Sequence, residues 1–264
     1  MTTLTAIVIS RNEAAHIRDC LATLDFADEK LVLDANSDDE TVSLAQGMGA
    51  RVISQPDWQG FGIQRQRAQD LARGEWLLMV DADERVSSEL GREIRQVVDD
   101  FRQGDLPRVY EISRLTSVFG RFIHHGGWFP DWIARLYHRE AGRYDSARVH
   151  EKLLPAPGVR VGRLKQPLLH YSYTSVDQYL VKSARYAREW AIEKERQGMK
   201  VSLAQGWWHA AGCGFRMYVL RGGFRDGAEG WLLAVLSAHS TFVKYANLWV
   251  RQRQNAQDHA TGSS

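Results

Sequence analysis

Four short apolar runs, each followed by a stretch with helical spacing, fill the first hundred residues of this chain. The runs are Leu4–Ser10, Lys30–Asp34, Ala50–Ser54 and the segment from Trp76 to Val80. Ile17, Cys20, Leu21 and Leu24 recur at helical spacing after the first, with Asn12 placed to cap that helix. Ser37 and Glu40 form a capping-box pattern ahead of Leu44, Ala45 and Met48, and Gly49 lies near the end of that helix. A loop with Pro56, Gly60 and Gly62 leads into a helix over 63–73, and Leu90, Ile94, Val97, Val98 and Phe101 mark a fourth helix. Such a β-α series predicts a parallel sheet with helices on both faces. Right-handed crossovers then bring all strand carboxyl ends to one edge, where open α/β sheets bind ligands. The chain has no Gly-x-Gly-x-x-Gly and no phosphate-loop Gly-x-x-x-x-Gly-Lys-Ser/Thr, which removes support for dinucleotide-binding and P-loop classes.

The fourth run carries the chemistry. In Glu75-Trp76-Leu77-Leu78-Met79-Val80-Asp81-Ala82-Asp83-Glu84, five apolar residues end in three carboxylates. A continuous apolar run bounded by polar residues reads as a buried central strand. Asp81 and Asp83 are two apart and point to one side of an ideal strand. Two readings stand for such a pair: a site for a hard divalent cation that also holds phosphate oxygens, or an acidic turn into the next helix. Arg11 and Asp34 also follow strands and belong to the same edge.

After Pro107 the alternation stops. Val109–Phe119, Ile133–Tyr137 and Pro167–Tyr171 read as strands, with the turn-rich Gly120–Pro130 after the first and the polar cluster Arg148–Lys152 between the others. Ser175 and Asp177 begin a long helix lined by Val176, Tyr179, Leu180, Ala184, Ala187, Trp190 and Ala191. Beyond Gly198, Trp207, Trp208, Phe215, Met217, Tyr218, Leu220 and Phe224 alternate with Arg216, Arg221 and Arg225, and a last helix carries Leu232 to Trp249. Aromatic and basic residues together suit a membrane interface; packing on the rest of the protein is the other reading. The polar segment 254–264 is expected to be disordered.

Charge divides the chain as well. Residues 1–107 hold 11 Lys+Arg against 20 Asp+Glu, a balance of −9, whereas residues 108–225 hold 20 against 9, a balance of +11. A basic second half fits an anionic substrate or surface. Arginine content is the one feature that would suit nucleic acid, and no recognition motif accompanies it. Cys20 and Cys213 have no metal or disulfide spacing and fit a reducing compartment. Neither a signal peptide nor a spanning helix is expected.

The ordered set of motifs resembles family 2 glycosyltransferases of the GT-A fold, and within them the lipopolysaccharide core β-glucosyltransferases that modify heptose. The residues that carry the resemblance are Leu4–Glu13, Leu33–Thr41, Gly60-Phe61-Gly62-Ile63-Gln64, Glu75–Glu84, Gly126-Gly127-Trp128-Phe129-Pro130-Asp131, Arg135-Leu136-Tyr137, Val149-His150-Glu151 and Leu169-His170-Tyr171-Ser172. The resemblance implies a Rossmann-like, mixed but mainly parallel sheet with helices on both faces. It also implies a nucleotide-sugar half over 1–107, an acceptor half over 108–174 and a helical, membrane-associating extension over 175–253.

For function it implies an inverting, metal-dependent transfer of a hexose, with UDP-glucose as the expected donor, to the inner core of lipopolysaccharide at the inner face of the cytoplasmic membrane. Another cell-envelope glycan as acceptor, or a non-catalytic peripheral membrane module, are the alternatives. A divalent cation, Mg²⁺ or Mn²⁺, would be held by Asp83 with Asp81 alongside, and His170 or His150 would complete the shell or serve as structural histidines. Asp81 is alternatively a ribose contact. Ser10, Arg11 and Glu13 match the first nucleotide loop, Asp34 the base-contacting aspartate, and Arg65 a basic residue near the nucleotide; the next position, often Asn in the family, is Gln66. An inverting transferase needs a base for the acceptor hydroxyl, and Glu151 or Asp131 fills that role. Trp128 and Trp132 stack on a sugar or simply pack. Glu84 positions the acceptor or supports the turn.

Overall fold

The structure, a computed structural model, describes residues 3–101, 107–148 and 151–261. The chain divides into two compact units, one of residues 1–115 and 130–171, the other of residues 116–129 and 172–264.

The first unit is built on β1 (Leu4–Ser10), α1 (Ile17–Ala22), β2 (Glu29–Asp34), α2 (Thr41–Gly47), β3 (Arg51–Ser54), α3 (Phe61–Leu71), β4 (Trp76–Asp81), β5 (Glu84–Val86) and α4 (Ser88–Asp99). It continues through β6 (Val109–Val118), which runs on past Leu115 into the second unit and pairs there with β7 (Arg121–Phe122). Next come β8 (Asp131–His138), β9 (Gly142–Tyr144), β10 (Leu153–Pro155), β11 (Val161–Arg163) and β12 (Leu168–Tyr173). The main sheet has the order β3-β2-β1-β4-β8-β6-β12-β5, with β9 and β10 in a separate hairpin. Strands β3, β2, β1 and β4 are mutually parallel, β8 is antiparallel to β4 and β6, and β12 is antiparallel to β5. This is the mixed GT-A-type sheet that the resemblance implies.

Strand alternation explains the unbroken apolar runs. Leu4, Ala6 and Val8 of β1 and Leu78 and Val80 of β4 pack on one face with Ile17, Leu21, Leu90 and Ile94 from the helices. Ile7, Ile9, Leu77 and Met79 pack on the other face with Ala68 of α3 and with Tyr137 and Tyr144. A strand covered on both faces has no solvent side on which to place polar residues.

Local capping differs from the sequence expectation. Asn12 does not cap α1, and Ser37 does not cap α2: the positions before those helices are His16 and Glu40, neither with a side-chain cap. Instead the two residues join the loops after β1 and β2. Ser37 Oγ accepts from Asn12 N at 2.8 Å, and Asn12 Oδ1 accepts from Asp38 N at 3.0 Å. Asn12 and Asn36 both take positive φ there, a conformation Asn tolerates better than most residues. The short β5 has no apolar run to mark it in the sequence; its strand character comes from pairing with β12.

The second unit holds α5 (Val176–Arg196), α6 (Leu203–Phe215), a π-helical turn Arg216–Leu220, a 3₁₀ turn Gly223–Asp226 and α7 (Gly227–Thr261). Ser175 caps α5 by accepting from Gln178 N, and Ser202 with Gln205 forms a capping box on α6. Gly206 on α6 lies against Tyr245 of α7, where a Cβ would come within 2.8 Å of the tyrosine Cβ. Val118, Ile123, Tyr179, Leu233 and Leu236 form the core of this unit, with Trp128, Tyr173 and Met217 against it. Helix α7 runs to Thr261, so the polar stretch from 254 that composition assigned to a disordered tail is helical to that point. No described helix is long and apolar enough to cross a membrane.

Candidate active site

The carboxyl ends of β1, β2 and β4 meet on the edge predicted from their parallel order. Ser10 and Asp34 are register partners, 5% and 1% exposed. Asp34 accepts from Ser10 Oγ at 3.0 Å, Ser37 Oγ at 2.6 Å and Ser37 N at 2.8 Å. An ionised carboxylate has about four acceptor positions, so three are committed to tying the two loops together. Arg11 is exposed beside them. Glu13, partly buried, donates its N–H to Thr41 Oγ1 at 2.7 Å.

Burial, and then the charges of Asp83, Asp81 and Asp39, push the Glu13 carboxyl up to about 7. The folded protein thus holds a proton on Glu13 where an unfolded chain, with its ordinary 4.5, has lost it. Stability of the metal-free protein is expected to fall as pH rises from about 4.5 through about 7, since the folded state binds more protons in that window. Thermal unfolding of wild type and Glu13→Gln in EDTA checks this: the variant should gain on the wild type as pH rises, and parallel curves would sink the assignment.

Asp81 ends β4 between two buried arginines. Its Oδ1 accepts from Arg65 Nη2 at 2.6 Å, and its Oδ2 accepts from Arg135 Nη2. Arg65 also donates through Nε to Glu151 Oε1 at 2.8 Å, and Arg135 donates to Glu84 Oε1 at 3.0 Å. Arg65 and Arg135 are 3% and 5% exposed, and the Arg65 guanidinium lies over the Tyr144 ring at 5.4 Å. Burial alone would raise the Asp81 carboxyl; Arg135 and Arg65 outweigh it and hold it far below the usual range. Glu84 is wholly buried, and burial with the Asp81 charge holds its carboxyl above the ordinary value despite Arg135 and Arg114. Its Oε2 accepts from Asp81 N at 2.8 Å, so Glu84 supports the turn between β4 and β5.

Helix α3 delivers Arg65 and also anchors the segment leading to Glu151. Phe61 N and Gly62 N donate to Arg148 O and Ala147 O at 3.2 and 3.1 Å. Gly60 has φ +119°, and a Cβ on Gly62 would collide with the Asp145 carbonyl oxygen. The two glycines let the 145–148 backbone lie on the helix amino end. Gln66, in the place of the family's Asn, donates to Tyr144 O at 2.6 Å in the same contact.

Asp83 occupies the turn after β4. Its Oδ2 lies 3.3 Å from His170 Nε2, and its backbone oxygen accepts from Tyr171 N at 2.8 Å. His170 stands opposite Glu84 in the β12–β5 register. No arginine pairs with Asp83 among the described residues, in contrast to Asp81. No group of three or more His, Cys, Asp or Glu side chains among the described residues is arranged to hold a metal. The carboxylate and imidazole of Asp83 and His170 are a two-donor set of types that Mn²⁺ and Mg²⁺ accept when phosphate oxygens and water supply the rest. His150 lies outside the described residues.

Asp131 begins β8, its carboxylate accepting from Arg114 Nε and Nη2 at 2.9 and 2.6 Å. A cleft of about 650 Å³ is lined by Arg65, Asp81, Arg114, Asp131, Trp132, Arg135 and Glu151, so both sequence candidates for the base face one cavity. Trp132 carries the Arg163 guanidinium over its ring at 4.6 Å. Trp128 belongs to the second unit, where it is partly buried and packs against the core. Sequence reasoning assigned no role to Arg135 or Arg114. The signal for Arg135 was a charged residue inside the otherwise apolar segment Ile133–Tyr137.

Residues 5–160 match the model of glycosyl transferase family 2. An uncharacterized glycosyltransferase of Rickettsia felis is 29% identical over 94% of this chain and 90% of its own length. The lipopolysaccharide core biosynthesis glycosyltransferase LpsC of Rhizobium meliloti is 26% identical over 96% of this chain and 94% of its own. Among solved structures, S. aureus TarS 1–349 in complex with UDP aligns at a TM-score of 0.49 and 17% identity, over 96% of this chain and 92% of that one.

Proposed function

Because this chain belongs to glycosyl transferase family 2 and is a glycosyltransferase, we propose that it transfers a hexose, with UDP-glucose as donor, to the inner-core heptose of lipopolysaccharide with inversion at the anomeric carbon. The observation that carries the reading is the meeting of Asp81, Arg65 and Glu151 on one cleft beside the strand-end carboxylate Asp83. The likeness to LpsC over nearly the full chain supports the lipopolysaccharide acceptor.

Each residue has a task in that reaction. Ser10, Asp34 and Glu13 shape the nucleotide end of the edge, with Arg11 exposed there to meet phosphate. Asp83 and His170 would hold a divalent cation, which when bound stabilises the negative charge of the departing diphosphate. Asp81 keeps Arg65 and Arg135 in place, while Arg65 in turn orients Glu151. Glu151 takes the proton from the acceptor hydroxyl as that oxygen attacks the anomeric carbon and the diphosphate leaves. Arg114 and Lys152, also on the cleft, suit the carboxylates and phosphates of an inner-core acceptor. The exposed aromatics of the second unit, Trp207 and Trp208 among them, support a peripheral position on the inner face of the cytoplasmic membrane.

The test is titration with UDP in the presence of Mn²⁺ or Mg²⁺ and in EDTA. Metal should tighten UDP binding to the wild type, and Asp83→Ala should remove that gain while leaving metal-free binding near the wild-type level. Equal affinity with and without metal would overturn the role given to Asp83 and His170.

A further inference from the structure

The motif Gly126-Gly127-Trp128 is not part of the cleft just described. In the second unit it borders a separate cavity of about 360 Å³, lined by Trp128, His209, Cys213, Arg216, Arg221 and Tyr245 among others, and by no acidic side chain. Arg216 and Arg221 are both exposed, and neither has an acidic partner among the described residues. Their placement is built in. Residues 216–220 form a π-helical turn in which Arg221 N donates to Arg216 O at 2.8 Å. Residues five apart are nearly in line in such a wide turn, whereas an α-helix would splay them. Both guanidinium groups therefore serve one cavity.

The glycine loop holds the second arginine. Gly126 N donates to Arg221 O at 2.9 Å, and the Arg221 side chain lies where a Cβ on Gly127 would be. Gly126 and Gly127 have φ of +68° and +85°. The preceding His125 is anchored by Asp226, whose carboxylate accepts from His125 Nδ1 at 2.9 Å and His125 N at 2.8 Å. Burial would raise the Asp226 carboxyl; the hydrogen bonds from His125 and His124 N hold it below its usual range. A charged Asp226 thus fixes the loop without entering the cavity.

Apolar residues next to the two arginines in sequence are exposed, and the two cavities share no lining residue. Phe215 is 58%, Leu220 69% and Phe224 56% exposed, and a second groove of about 350 Å³ runs between Phe215, Val219, Trp231 and Val235. Paired cationic donors with exposed aromatic and aliphatic residues adjacent to them in sequence match a phosphate with hydrocarbon attached.

We infer that Arg216 and Arg221, set by the Gly126-Gly127 loop and the π turn, bind the phosphate of an anionic lipid headgroup whose hydrocarbon meets Phe215, Leu220 and Phe224. This deepens the membrane part of the proposed function and rests on it. The cavity shares no lining residue with the catalytic cleft.

The experiment is flotation of the full chain with vesicles of phosphatidic acid in phosphatidylcholine, and with phosphatidylcholine alone. Wild type should bind the anionic vesicles, and Arg216→Ala/Arg221→Ala should bind them about 30-fold more weakly, with UDP affinity unchanged. Arg185→Ala/Arg188→Ala, which removes the same charge from α5, should lose much less. Equal losses in the two double variants would mean diffuse attraction and would overturn the site, as would full binding by the Arg216/Arg221 variant. If wild type binds no anionic vesicle even at low salt, the membrane reading fails together with the site. Intact metal-linked UDP binding would in each case leave the catalytic assignment standing.

Discussion

Glu151→Gln is expected to lower transfer about 10²- to 10⁴-fold while leaving UDP affinity unchanged. The amide has the shape of the carboxylate and still accepts from Arg65 Nε, which lies 2.8 Å from Glu151 Oε1. What it loses is the ability to take a proton. Glu151 is 13% exposed and reaches the cleft through an arginine that is itself held by Asp81, so its position does not depend on the bound acceptor. Asp131 contrasts with it: its side chain is 44% exposed and bonded to Arg114 through both Nε and Nη2. Asp131→Asn should therefore raise KM for the acceptor more than it lowers kcat. Single-turnover transfer to purified core acceptor, with UDP titration alongside, separates the two. Near wild-type turnover in Glu151→Gln with loss in Asp131→Asn would make Asp131 the base.

Arg135→Met is expected to destabilise the protein by about 3–5 kcal/mol, the usual cost of breaking a buried pair from one side. Arg135 sits 5% exposed on β8 with Asp81 and Glu84 both on its Nη2. Its removal leaves the buried Glu84 with Arg114 at 3.9 Å as its remaining cation. Glu84→Gln should be milder, because Glu84 is already held above its ordinary range and its amide keeps a hydrogen-bond acceptor for Asp81 N. Adding Glu84→Gln to Arg135→Met should recover part of the loss, since it removes one uncompensated carboxylate. Urea unfolding midpoints report all three variants. An Arg135→Met midpoint equal to that of the wild type would contradict the charge balance described for this site.

The sequence by itself determined the β-α order from β1 to β4 and the burial of the central strands. Both rest on local periodicity: a run of five apolar residues has no polar face to present, and Leu4–Ser10 and Trp76–Asp81 form strands where the pattern places them. It also assigned Arg11, Asp34, Asp81 and Asp83 to one edge, since parallel strands joined by crossovers end on one side. The Ser175 cap was readable for the same local reason.

Only the tertiary structure decided which charges meet. Arg65 and Glu151 lie 86 positions apart, and Arg135 reaches Asp81 from an antiparallel strand 54 positions on. No spacing rule links such residues; the partner of a buried charge depends on which elements pack together. For the same reason Asn12 and Ser37, suited by type to cap helices, bond to each other across two loops. Asp81 and Asp83, alike in the sequence, are separated by their surroundings: one is enclosed by guanidinium groups, and the other faces a histidine.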